Sequence, residues 1–360
     1  MGGAVTIARA PGRICLFGEH QDYLGLPIIA MAIDLEITVR AQARDDMRFE
    51  LDLPDVNKQD AFTAQAEVDY IEERDYIRSA VNICLREGAR WESGYDIDIH
   101  GTIPINSGTS SSSALIIAWT KLLLALAGDE RSGDPGFIAR LGHRGEVLEF
   151  QEPGGMMDHF SSSVGGVIFL ETQEPYKFTR FAPELGSFVL GDSLEPKETK
   201  NILARVKGGA LEGAARLKEI DPSFDLQTTG IEEGRTLIVN LPPGMRRVVA
   251  GNLVNRDILQ TAKTMFEADD IDHRELGRLL DEHHSVLRDD LDISTPKIER
   301  MLAAAKSKGA YGGKINGSGG GGAMFVYAPE NTDAVAAAME AEGGKSYVIK
   351  MGEGARIETG

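Results

Sequence analysis

The chain has 360 residues, of which 42% are hydrophobic, enough for a large buried core and, at this length, for two domains. Its formal net charge of −18 argues against a nucleic acid or an anionic membrane as partner and is accounted for by solubility. Cys15 and Cys84 form no paired pattern, so disulfides and a zinc site are not expected; with no N-terminal signal and no apolar run of spanning length, the sequence reads as cytoplasmic.

In chain order, the first informative stretch runs from Ala10 to Gly25. Gly12, Gly18 and Gly25 bracket a short apolar strand that delivers Arg13, Glu19, His20 and Asp22 to loops. Spacing alone leaves two readings open, a set of surface ion pairs or a shaped site. Pro27 to Val39 then reads as one or two buried strands, and Phe62 to Glu87 as mostly helical, with apolar residues at Val68, Ile71, Ile77, Val81 and Cys84-Leu85.

Tyr95 to His100 alternates apolar and polar residues, as a half-buried strand does. A serine-rich loop follows from Pro104 to Ser113, and then an apolar helix from Ala114 to Ala127 that stops at Gly128. Hydroxyls and unpaired amides at the positive end of a helix dipole suit an anion. One or two serines would cap the helix equally well, but four in succession after Gly108 exceed that need and point to phosphate.

A helix is expected over about Phe137 to Phe150, with Glu146 and Glu149 three apart, so that either carboxylate is a candidate metal ligand. Pro153-Gly154-Gly155 breaks it, and Asp158 follows, read either as a cap or as a catalytic carboxylate, before a strand from Gly166 to Glu171. Scattered proline and glycine between Glu174 and Gly191 put a domain boundary near residue 180. Beyond it, helices are expected at about Pro196–Ile220, Arg256–Glu267, Arg274–Asp289 and Pro296–Ser307. The glycine-rich run Gly312 to Ala323 lets backbone approach a ligand closely. It precedes a strand, Met324–Tyr327, rather than a helix, which disfavours a P-loop or a Rossmann site. Helix Thr332–Glu342 and strand Tyr347–Met351 complete a β-α-β end.

Together these stretches resemble the GHMP kinases. Gly12-Arg13 through Gly18-Glu19-His20-Gln21-Asp22-Tyr23 looks like the galactokinase signature rather than the mevalonate kinase one. Ser107 to Ser112 resembles the family's ATP loop, Asn316 to Gly322 its third motif, and Gly155 to Phe160 the stretch bearing a catalytic Asp; Glu282 to Asp290, with Ser294-Thr295-Pro296, is similar to a galactokinase helix. Two departures stand out: Leu26-Pro27 in place of Gly-Gly, and Gln21 where Thr or Ile is usual. The Asn-x-Asn loop of galactokinases is not visible, and Gly251 to Asp257 stands in its approximate place.

The resemblance implies an α+β fold of two domains: residues 1–180, similar to the second domain of ribosomal protein S5, and residues 181–360, ferredoxin-like. It implies an ATP- and Mg²⁺-dependent kinase for a small-molecule sugar, acting on its anomeric hydroxyl. The alternatives are a kinase for a uronic acid or heptose, or a non-catalytic sugar- and ATP-binding regulator. Carried over residue by residue, Asp158 and Arg13 are the implied catalytic pair, and Glu19, His20 and Asp22 the sugar contacts. The implied nucleotide loop comprises Pro104, Asn106, Ser107, Gly108, Thr109, Ser110, Ser111, Ser112 and Ser113. Gly317, Ser318, Gly319 and Gly320 form the third-motif loop, and Ser112 and Glu146 are the implied Mg²⁺ ligands.

Overall fold

In a computed structural model describing residues 5–104, 108–196, 199–268 and 270–359, the first strand, β1 (Val5–Phe17), is half-exposed at its start and buried from Ala10 onward. It pairs antiparallel with β2 (Ile28–Ala43), and the register slips between Pro11 and Arg13. Gly12 sits in that slip, where a Cβ would lie 2.8 Å from the Thr109 carbonyl oxygen. Only glycine lets the strand pass so close, and the bulge re-aims Arg13.

The hairpin β3 (Arg48–Leu53) and β4 (Lys58–Thr63) is joined to β2 by β5 (Tyr95–Gly101). β6 (Val167–Glu171) pairs with the start of β2 and carries β7 (Lys177–Phe181). The helices α1 (Tyr76–Arg86), α2 (Ser111–Leu126), α3 (Pro135–His143) and α4 (Met157–Val164) pack on this sheet and on one another. The apolar sequence of α2 makes it a core helix: Trp119 is enclosed and donates its indole N–H to the Ile77 carbonyl at 3.0 Å.

The second sheet is built from β8 (Phe188–Asp192), then α5 (Thr199–Ile220), α6 (Ile231–Leu237), α7 (Pro243–Glu267), α8 (His273–Asp289) and α9 (Pro296–Ser307), followed by β9 (Gly312–Ile315), β10 (Ala323–Tyr327), α10 (Thr332–Ala341) and β11 (Lys345–Ile349). Its order β11-β8-β10-β9, antiparallel throughout, is the ferredoxin-like order. One apolar cluster runs from Ile14, Leu16 and Phe17 into Leu190, Leu280 and Phe325, so the two halves share a core.

Three expectations need correction. The chain does not stay in the second unit after residue 180: β12 (Arg356–Thr359) returns to pair with β1, Ile7 opposite Glu358, and closes the free side of that strand. The helix expected over Phe62–Glu87 begins only at Tyr76. Phe62 lies in β4, and the Val68 N–H and C=O are held by the Asn82 side chain instead of a helical ladder. The helix expected from Arg256 starts at Pro243, because a proline at its first turn is tolerated and the buried face is continuous from Val248 to Phe266. No helix among the described residues is long and apolar enough to cross a membrane.

Candidate active site

The three loops rich in glycine and serine meet at one carbonyl. The Gly108 oxygen accepts from Arg13 Nη1 at 2.6 Å and from Asn316 Nδ2 at 2.9 Å. Asn316 Oδ1 in turn accepts the Cys15 N–H at 2.9 Å, so this fully buried side chain clamps the first motif to the serine loop. Gly317 passes within 3.2 Å of the same carbonyl, measured from the position of a Cβ, and Gly319 within 2.6 Å of the Ile293 carbonyl oxygen. Both have φ of 79°, a backbone conformation that favours glycine. Gly320 N–H donates to the Ile293 carbonyl, fixing the rest of the loop.

Arg13 points from the bulge to Asp158 in the first turn of α4, with Nε 2.8 Å and Nη2 2.7 Å from Oδ1. The arginine side chain is 5% exposed and the carboxylate 28%, so the cation is enclosed while the carboxylate keeps an accessible face. Burial would raise the Asp158 pKa, but the Arg13 charge and then the Ser110 hydroxyl hold it below the usual carboxylate range. Burial likewise opposes the Arg13 charge, and Asp158 with Glu19 keeps its pKa raised. Asp22, half-buried, lies against Gly155, where a Cβ would stand 1.9 Å from Oδ2. Burial, then the charges of Asp158 and Glu19, push Asp22 up to about 6, against the Tyr23 N–H that it accepts.

Glu19 and His20, the implied sugar contacts with Asp22, both bond to the third-motif stretch. Glu19 Oε2 is 2.8 Å from Lys314 Nζ, which also donates to the Cys15 carbonyl, and the pair is 2% and 0% exposed. His20, at φ 64°, donates from Nε2 to the Ser318 carbonyl at 3.1 Å, so in the neutral ring Nδ1 accepts from the Tyr23 hydroxyl at 2.6 Å. Burial lowers its pKa in keeping with that neutral form. These two residues lock the first motif to the third and leave Asp22 as the member of the trio beside Asp158.

Ser110 stands at the N-cap of α2 with φ 62° and makes no side-chain cap, so the capping reading fails at the position where it applies. Its hydroxyl faces Asp158 but completes no hydrogen bond of good geometry among the described residues. Ser111 opens the helix, and the Thr109 carbonyl accepts the Arg13 N–H at 3.2 Å. Pro104 precedes the loop; Asn106 and Ser107 lie outside the described residues.

Glu146 sits in a π turn, Arg144–Leu148, that continues α3. Its Oε2 accepts from His159 Nε2 at 2.8 Å, and the Ser112 and Ser113 hydroxyls lie near enough to help hold its charge. Burial raises its pKa, but His159 and the two serines outweigh it and hold the group below its ordinary value. Glu149 faces away, bound by Arg86 and Tyr70, so of the two carboxylates Glu146 joins the serine loop. An ionised carboxylate near a serine hydroxyl is a hard-oxygen pair that fits Mg²⁺, which takes few protein oxygens. Lys314, Asn316 and His159 were not singled out as site residues from sequence, though Lys314 and Asn316 stand in the glycine-rich run and His159 adjoins Asp158.

Comparison with known proteins gives the family. Residues 75–166 match the family model for the GHMP kinases N terminal domain, 264–345 that for GHMP kinases C terminal, and 2–43 the galactokinase galactose-binding signature. The mevalonate kinase of Pyrococcus furiosus is 30% identical over 98% of both chains, and the galactokinase of Streptomyces coelicolor 27% identical over 92% of this chain and 87% of its own. The structure of Lactococcus lactis galactokinase complexed with galactose superposes with a TM-score of 0.83 at 22% identity, covering 98% of this chain and 95% of that one. With both terminal domains matched and a full-length relative at 30% identity, this chain belongs to the GHMP kinase family, ATP-using phosphotransferases that act on a hydroxyl group.

Proposed function

We propose that the protein is a sugar kinase that transfers the γ-phosphoryl of ATP to the anomeric hydroxyl of a monosaccharide, in the cytoplasm, where its buried, unpaired Cys15 and Cys84 suit a reducing milieu. The observation that carries this reading is that Asp22 lies against Gly155, close enough to Asp158 to feel its charge. Two neighbouring carboxylates accept hydrogen bonds from the hydroxyls of a neutral polyol and repel an acidic one. The cations of the floor, Arg13 and Lys314, are already matched by Asp158 and Glu19. The galactokinase signature over residues 2–43 supports the same choice. A second reading, mevalonate as acceptor, is favoured by the mevalonate kinases at about 30% identity.

Asp158 orients the acceptor hydroxyl, and as a carboxylate with a depressed pKa it is a positioning group more than a strong base. Arg13 keeps it ionised and faces the moving phosphoryl with positive charge. The amides opening α2 cradle the polyphosphate at the helix's positive end. Ser112 and Glu146 would hold Mg²⁺, which would supply positive charge to offset that of the phosphates.

An ADP-release screen of the purified protein against hexoses, pentoses, heptoses, uronic acids and mevalonate tests this. Turnover of a neutral sugar is expected. Turnover of mevalonate alone would establish the second reading, and binding of ATP and sugar without turnover would make the protein a regulator.

A further inference from the structure

β9 is one of the two outer strands of the second sheet, and the third motif is its continuation. Its inward side pairs with β10, Ile315 opposite Met324. The N–H groups of Gly313 and Ile315 point outward, where an edge strand ordinarily leaves donors to solvent. Here α8 supplies both acceptors from side chains about one turn apart: Gly313 N–H donates to Asp281 Oδ1 at 2.9 Å, and Ile315 N–H to His284 Nδ1 at 3.3 Å. The helix comes this near because glycine meets glycine. A Cβ on Gly277 would stand 2.5 Å from the Tyr311 carbonyl oxygen, and one on Gly312 1.9 Å from that of Gly277.

Each acceptor is steadied from α9. Lys306 Nζ lies 3.0 Å from Asp281 Oδ2. With Nδ1 accepting from Ile315, the remaining His284 N–H at Nε2 donates to Glu299 Oε1 at 2.8 Å, an oxygen that also accepts the Ser294 hydroxyl. The two acceptors differ in how near they stand to the clamp. Ile315 is joined directly to Asn316, the side chain that clamps Cys15 and Gly108. Gly313 is three residues from it.

We propose that His284, oriented by Glu299, is a positioning residue for phosphoryl transfer: it fixes the end of β9, and through Asn316 the Gly108 carbonyl on which Arg13 and the serine loop are seated. The inference rests on the reading of Arg13, Asp158 and the serine loop given above. Its test is arranged so that the two fail separately.

The variants are His284→Asn, which returns an acceptor near the place of Nδ1; His284→Gln, which returns a donor near Nε2 but no acceptor for Ile315; His284→Leu, which returns neither; and Asp281→Leu at the other edge donor. Each is measured for melting temperature, for ATP affinity by calorimetry, which needs no acceptor sugar, and for ADP release with the sugar the parent accepts. A buried N–H left unpaired beside the clamp is expected to weaken ATP binding and turnover about tenfold in the Leu and Gln variants. His284→Asn should stay within about threefold of the parent, and Asp281→Leu should melt earlier while keeping ATP affinity within about twofold, since its donor lies away from Asn316. Should His284→Leu fail to fold, the Asn and Gln variants decide. Parent-like ATP affinity in His284→Gln, or losses that follow melting temperature alike at 281 and 284, would overturn the proposal. A parent that binds ATP but turns over no sugar would sink the proposed function instead, with the ATP affinities still judging His284.

Discussion

Two ion pairs hang from the same strand and its following loop, and they have different fates. Arg13–Asp158 and Lys314–Glu19 have contact distances of 2.7 and 2.8 Å, and each joins a cation to a carboxylate. The first keeps 28% of its carboxylate side chain exposed; the second is shut, at 0% and 2%. A buried pair costs desolvation that its attraction only roughly offsets, so the closed pair serves as frame, joining the first motif to β9 across the whole chain. In the open pair the cation is enclosed while the carboxylate keeps an accessible face. On the proposed function, exposure more than charge separates the group that acts from the group that holds.

The comparison can be broken most forcefully at Arg13. Arg13→Met removes the cation facing the phosphoryl, and turnover measured by ADP release should fall by roughly 10³-fold. On the closed side, Lys314→Met leaves the Glu19 charge buried and alone. Urea unfolding should show a loss of about 3–5 kcal/mol, with much of it regained when Glu19→Leu is added. A double variant no more stable than the single would mean the pair is not the frame.

Ser112→Ala sharpens the open side at its metal face. The Mg²⁺ requirement in the ADP-release assay should rise and kcat fall, while sugar binding without metal stays as in the parent. If Ser112 only stabilised the helix start, melting would drop by the equivalent of about 1 kcal/mol and the Mg²⁺ titration would not move.

Asp22→Asn gives the smallest and most pH-dependent effect. The folded pKa of Asp22, about 6, lies above its ordinary value of 3.8, so the folded protein binds the extra proton in that window. Its contribution to stability is therefore present below about pH 4 and lost as pH rises through about 6. The variant, which carries no charge there, should melt progressively later than the parent between pH 5 and pH 7. The parent's sugar KM should rise as pH falls through the same range, and the variant's should show no such inflection. Parallel melting curves across that range would contradict the placement of Asp22 beside Asp158.

What was legible in the sequence is what is local. Gly12, the serine run and the 317–322 loop announce backbone that must approach something closely, and Thr295-Pro296 marks the start of α9 where it occurs. The partners of those motifs were not legible, because they arrive from far along the chain: Lys314 reaches Glu19 across 295 positions, and Asn316 reaches Gly108 across 208. The choice between Glu146 and Glu149 depended on a π turn that changes the angle between them, which ordinary helical spacing does not foresee. The apolar residues at Val68 and Ile71 mimicked helical periodicity while lying in irregular chain, Val68 held by the Asn82 side chain and the Ile71 N–H by Asp75. β12 was missed because a short strand that closes a distant edge carries little signal of its own.

The central claim, that the open pair acts and the closed pair holds, is tested most directly by one paired assay: ADP release and melting temperature of Asp158→Asn beside Glu19→Gln. The account predicts that Asp158→Asn melts close to the parent and loses roughly 10²-fold or more in turnover. Glu19→Gln should melt well below the parent and, where folded, keep turnover within a few-fold. Turnover by Asp158→Asn within a few-fold of the parent would contradict it.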